Sequence, residues 1–133
     1  MNWLSRFEAP IYAALRIVVG LMFAAHGVQK LFGVLPHHKY GAMKAEFGTQ
    51  TWFGGVIELV CGLAMALGFK TRWAGFLASG TMAVAYWQFH QPNGGLPVQN
   101  DGELAVVYCF LFLFIAAKGS GIWSMSGAKD KSG

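Results

Sequence analysis

The chain has 133 residues, 55% of them hydrophobic and only 12% charged, with a formal charge of +4. A soluble domain carries about 25% charged residues, so a water-exposed globular surface is excluded on composition alone. The basic balance does not point to nucleic acid either, because the ten Lys and Arg are scattered between apolar runs rather than gathered into a patch.

The N-terminal stretch offers one basic residue, Arg6, before the first apolar run. No small-x-small cleavage pattern follows, and Arg16 and His26 interrupt the run, so it reads as a retained spanning helix rather than a signal peptide. Apolar runs then occupy residues 11–32, 52–69, 73–89 and 104–117. A spanning helix needs roughly 17 to 25 residues. The last run has 14 and reaches that length once Gly102, Glu103 and the residues from Lys118 onward are added. The expected fold class is all-α, an integral membrane four-helix bundle forming one domain, with spans at about 11–32, 52–69, 73–90 and 102–121.

The connections differ in kind. Residues 33–51 form a long mixed loop in which 39–47 has the pattern for one or two helical turns. Residues 70–72 make a tight turn, so the second and third spans are antiparallel neighbours. Residues 90–101 hold Pro92, Gly94, Gly95 and Pro97 and carry no helix pattern.

Charge asymmetry orients the spans. Arg6, Lys70, Arg72, Lys118, Lys129 and Lys131 share one side; Lys30, Lys39 and Lys44 share the other. The richer side is expected in the cytoplasm, which puts both termini there. Trp52 and Trp87 then mark the outer interface, Trp73 and Trp123 the inner one. Gly54, Glu58 and Gly62 recur every four residues along the second span, and Gly75, Ser79 and Gly80 are small positions on the third. Both sets allow close helix approach in lipid. Cys61 and Cys109 fall inside apolar runs with no C-x-x-C or zinc-like spacing, and read as small buried filler. No metal ligands are assigned.

Ionisable groups inside a membrane cost about 2.5–3.5 kcal/mol each on insertion scales, so their depth is informative. His26, Lys30, Glu58, His90 and Glu103, drawn from all four spans, fall in the outer half. Tyr86 joins them, since Met82, Tyr86 and His90 follow four-residue spacing on the third span. Each has a plainer reading: Lys30, His90 and Glu103 also suit helix ends, Glu103 suits a helix N-terminus, and His26 suits a satisfied bundle histidine. Glu58, six residues inside its span, is hardest to explain that way. Arg16 is the inner-half exception. It lies about 9 Å in depth from Glu58 by helical rise, which allows either a buried Arg16–Glu58 pair or snorkelling toward the inner face.

The run from Arg16 through Gly20, Phe23, His26, Gly27 and Lys30 to Gly33 resembles the first helix of the DoxX family. Gly55, Glu58 and Gly62 with Leu67 and Gly68 resemble its second; Met82, Ala85, Tyr86 and His90 its third; and Asn100, Gly102, Glu103 and Leu104 with Gly119, Gly121, Trp123 and Ser124 its fourth. The resemblance covers about residues 15–124. It implies a bacterial inner-membrane four-helix bundle. Related members are linked to thiosulfate:quinone oxidoreductase activity, and others to membrane redox complexes or detoxification. Similar bundles that exchange thiols with quinone use a C-x-x-C pair, which this chain lacks.

The leading expectation is a redox-associated membrane subunit engaging quinone or a similar apolar redox molecule. Glu58, His90 and Glu103 are the candidate proton-handling, catalytic groups; His26, Lys30, Tyr86 and Arg16 are the candidate cofactor-binding groups. A partner protein or a homo-oligomer would complete the electron path, since the chain has no flavin or nicotinamide fingerprint. One alternative is a non-enzymatic assembly, anchoring or small transport element. Another is a haem or metal bundle using His26 and His90.

Overall fold

The computed structural model describes residues 1–127. Lys129 and Lys131, counted above in the charge balance, lie outside the described residues. Those residues are helical, with one isolated bridge between His37 and Gly41 as the sole β pairing among them.

A short helix, α1 (Asn2–Ser5), precedes the long α2 (Glu8–Phe32), which takes Pro10 in its first turn, where a missing N–H costs nothing. Gly33 ends α2 in the left-handed conformation that glycine adopts freely. α3 (Gln50–Leu67) starts at Thr49, whose hydroxyl accepts the Trp52 amide, and ends at left-handed Gly68. α2 and α3 are long and apolar enough to cross a membrane. Their boundaries follow the first two apolar runs closely.

The other elements depart from the sequence expectation. Residues 39–47 form no helix; the 33–49 segment folds back as turns, tied by the Ala45 amide to the Lys30 carbonyl at 2.8 Å. The third run splits into α4 (Thr71–Ala85) and a π-helical turn, Tyr86–His90, in which the Gln91 amide bonds the Tyr86 carbonyl. The loop expected to lack helix holds a 3₁₀ turn, Gln91–Asn93, and a short α5 (Pro97–Asn100). Finally, α6 (Glu103–Lys118) stops at Gly119 instead of running on to residue 121. Its last carbonyls are met by Arg72, which bonds Ala116 at 3.1 Å and Ala117 at 2.5 Å.

Four helices pack around one core. α2 lies most extensively on α3 and α4 on α6, while α3 touches α4 less. The α2–α3 seam is backbone on backbone. A Cβ added at Gly20 would meet the Gly62 carbonyl at 2.7 Å, and one at Gly62 would meet the Ala24 amide at 2.5 Å. Only glycine permits that approach. Two turns away a Cβ at Gly27 would meet the Gly55 carbonyl at 2.6 Å and one at Gly55 the Lys30 Cβ at 2.9 Å, whereas a Cβ at Gly54 would meet nothing within 4 Å. Phe23, Tyr108 and Phe112 stack where α2 crosses α6, with centroids 4.7 to 5.7 Å apart.

The outer surface is as apolar as the interior. Val18, Leu21 and Met22 on α2, Val60 and Leu63 on α3, Phe76 and Leu77 on α4, and Val107, Phe110 and Leu113 on α6 are all exposed. Contiguous exposed apolar area on this scale marks contact with lipid or protein, not water.

Candidate functional site

The polar residues sort to opposite ends of the helices. At the α3–α4 turn, Arg16 is fully buried, with 0% exposure. Its guanidinium donates to the carbonyls of Met65 at 2.9 Å, Ile122 at 3.0 Å and Trp123 at 2.6 Å, and also to Ser120. No Arg16–Glu58 pair forms. Arg16 neither reaches Glu58 nor snorkels, because the segment after α6 folds under the bundle and brings it carbonyls. That segment is fixed from several sides. Tyr12 donates to Gly119 at 2.6 Å, Thr71 and Ser120 share a hydroxyl bond of 2.7 Å, and the Met125 amide bonds Leu67 at 2.8 Å. Arg16 lines no cavity with the other candidate residues.

At the far end a cavity of about 830 Å³ opens between the helices, with His26, Lys30, Glu58 and His90 in its wall. Three of the four apolar runs therefore bring their singled-out residues to one space. Most of the remaining wall is apolar: Phe23, Phe53, Ile57, Phe76, Leu77 and Met82. Gly54 and Gly80 widen it, for a Cβ at either would meet nothing within 4 Å. The folded-back loop contributes His37, Tyr40 and Met43, and is held partly by Gln29, whose amide donates to Leu35 at 2.6 Å.

Lys30 and Glu58 form an ion pair at 2.5 Å, the Lys side chain 27% exposed and the Glu side chain 4%. The pairing neutralises two charges whose separate burial would be expensive. It engages only Glu58 Oε1; Oε2 is buried and has no hydrogen-bond partner among the described residues. The hydroxyl of Tyr108, another wall residue, is also buried and unpartnered. His26 sits edge-on to Tyr108, with ring centroids 6.5 Å apart. Buried polar atoms are nearly always bonded, so two unpartnered ones in one cavity wall mark where a polar group belongs.

His90 reaches the wall because the π turn changes the pitch of its helix. Its Nδ1 lies 3.1 Å from the Asn100 carbonyl, and as a donor there it leaves Nε2 free to accept. Turns of this kind often mark functional sites. Tyr86, whose amide still bonds the Met82 carbonyl, lies outside the cavity lining. Tyr86 stacks on His90, centroids 6.4 Å apart, and accepts from Asn100 at 3.3 Å, so it supports the wall from behind. Glu103 is exposed in the first turn of α6 and outside the cavity lining.

Sequence reasoning passed over Tyr108 and the His37–Tyr40 loop. Tyr108 carried a signal, being the hydroxyl in the middle of an apolar run; the loop carried none. Among the described residues no group of three or more His, Cys, Asp and Glu is gathered as a metal site would require.

The DoxX family model matches residues 11–91. A Haemophilus influenzae protein, described as an uncharacterized protein, is 39% identical over 124 residues, covering 91% of this chain and 92% of the relative. A Mycobacterium tuberculosis protein, described as an uncharacterized membrane protein, is 27% identical over 137 residues, covering 92% of this chain and 83% of the relative. No solved structure matches. The family match, the extent of these relatives and the lipid-like outer surface lead to one conclusion: the chain belongs to the DoxX family and is a membrane protein.

Proposed function

We propose that the protein is a bacterial inner-membrane subunit that binds quinone or a similar apolar redox molecule in the cavity at the Lys30–Glu58 end. In this reading α2, α3, α4 with its π turn, and α6 all span the bilayer. Both termini are cytoplasmic and the cavity lies in the periplasmic leaflet. The reading is supported by exposed apolar side chains on all four helices and by the charge asymmetry between the two sides. α6 is the shortest, at about 24 Å of helical rise for its 16 residues. Lys118 at its end has the stem to reach an interface.

The observation that carries the proposal is an apolar-walled space with its polar groups gathered in one part. A quinone needs a slot for its ring and tail, donors for its carbonyl oxygens and groups that accept and return protons. Phe53, Ile57, Phe76 and Leu77 supply the slot, and Lys30, His26 and Tyr108 the donors. Glu58 and His90 Nε2 handle protons, with Glu103 at the solvent side passing them on. Quinone, when bound, supplies the electron-accepting chemistry. The electrons come from a partner protein.

The test is binding of ubiquinone and menaquinone analogues, in their reduced form, to the protein in nanodiscs. Glu58→Gln and His90→Ala are each expected to weaken binding at least ten-fold. Unchanged affinity in both variants would falsify the site.

A further inference from the structure

We infer that the polar end of the cavity selects a ligand carrying a hydroxyl, and so favours the reduced, phenolic form of a quinone over the oxidised, ketonic form. The inference rests on the proposed cavity function and narrows its substrate class.

The argument comes from the two unpartnered atoms. Glu58 is 3% exposed and Tyr108 also 3%. Glu58 Oε1 is already taken by Lys30 at 2.5 Å. The remaining Oε2, on an ion-paired carboxylate, can only accept. The Tyr108 hydroxyl can donate or accept. The two unpartnered atoms are therefore one obligate acceptor and one adaptable donor.

A ligand hydroxyl has a match for each, a proton for Glu58 Oε2 and a lone pair for Tyr108. A ketone or an ether oxygen accepts from Tyr108 but offers nothing to Glu58. Its lone pairs face a carboxylate oxygen that stays unbonded. An unmade bond to a buried charged acceptor leaves the full desolvation penalty of that group uncompensated. The apolar wall is indifferent to this choice, since the two forms differ little in bulk. Discrimination resides in Glu58 Oε2, while Tyr108 holds either form.

The same preference acts on redox equilibrium. A site binding the reduced form ten-fold more tightly raises the midpoint potential of a bound two-electron couple by about 30 mV. It would hold the product of quinone reduction rather than the reactant.

The experiment uses the full chain in nanodiscs and two probes of similar shape, para-octylphenol and its methyl ether, para-octylanisole. The phenol is expected to bind at least ten-fold more tightly. Glu58→Gln is expected to remove that preference. Tyr108→Phe is expected to weaken both probes about equally and keep the preference, because Glu58 still accepts from the phenol. A short-chain benzoquinone titrated electrochemically in the presence of the protein should show an upward shift in midpoint. Equal binding of the two probes, a preference untouched by Glu58→Gln, or a midpoint unmoved or lowered would each overturn the hydroxyl inference. All three leave ligand binding in the cavity standing. Failure of both probes to bind at all would remove the cavity function together with the inference.

Discussion

The two ends of the molecule handle buried polarity in opposite ways. At one end Arg16 is fully buried and surrounded by carbonyls from Met65, Ser120, Ile122 and Trp123. At the other, Glu58 spends one oxygen on Lys30 and leaves the second without a partner, beside a Tyr108 hydroxyl in the same condition. The first arrangement is closed around Arg16, and the one unmet atom at that end among the described residues, Arg72 Nε, lies outside the cavity lining. The second is incomplete by design of its surroundings, with an 830 Å³ space next to the unmet groups. A polar group in an apolar bundle is thus not one signal but two. Full satisfaction indicates a structural lock, and partial satisfaction beside a cavity indicates a place for something else.

The contrast breaks most easily at the closed end. Arg16→Leu removes the donor shared by four carbonyls, one on α3 and three after α6, and is expected to cost about 3–5 kcal/mol, the range for breaking a buried charged network. Arg16→Lys should recover only part of this, since an ammonium lacks the guanidinium fork. Reversible unfolding in mixed micelles measures both, and near-wild-type stability of the leucine variant would refute the lock.

At the open end the expected losses are smaller and reparable. Lys30→Met alone leaves Glu58 buried without its cation and should cost about 2–3 kcal/mol, less than a fully buried pair because the Lys side chain is 27% exposed. Adding Glu58→Leu should restore most of that stability while abolishing ligand binding. If the double variant stays as unstable as the single one, the pair serves the fold rather than the site.

The finest test alters no charge. Gly80→Phe places a ring where a Cβ meets nothing within 4 Å. Stability should change by less than about 1 kcal/mol, with the helix gaining slightly from loss of a glycine. Ligand affinity should fall at least ten-fold. Calorimetric binding beside a melting curve reads the two effects separately, and retained affinity would move the binding site elsewhere.

How much of this could be read from the residues depends on the distance over which each feature is encoded. α2 and α3 were legible because long apolar runs bounded by Gly33, Thr49 and Gly68 carry their own start and stop signals. Glu58 and Lys30 stood out because ionisable groups inside a span are rare. The fate of Arg16 was not legible. Its partners are main-chain carbonyls at positions 65 and 120–123, and a carbonyl has no side-chain signature. The π turn was equally hidden, since the Tyr86–His90 run suits an ordinary helix until packing decides its pitch. Gly54 and Gly55 are adjacent in sequence, yet one faces the cavity and the other the seam. Spacing alone selected the wrong one for packing.

The glycine seam between α2 and α3 reaches further than local packing. Because those two helices interlock through their backbones, neither can slide or tilt without the other, and they behave as a single slab. α4 and α6 form a second slab, and the two are pinned together beneath by the knot around Arg16. Whatever breathing the protein undergoes to admit a bulky guest must then be a pivot, with its fulcrum at the pinned edge and its widest travel at the rim where Lys30 and His90 sit.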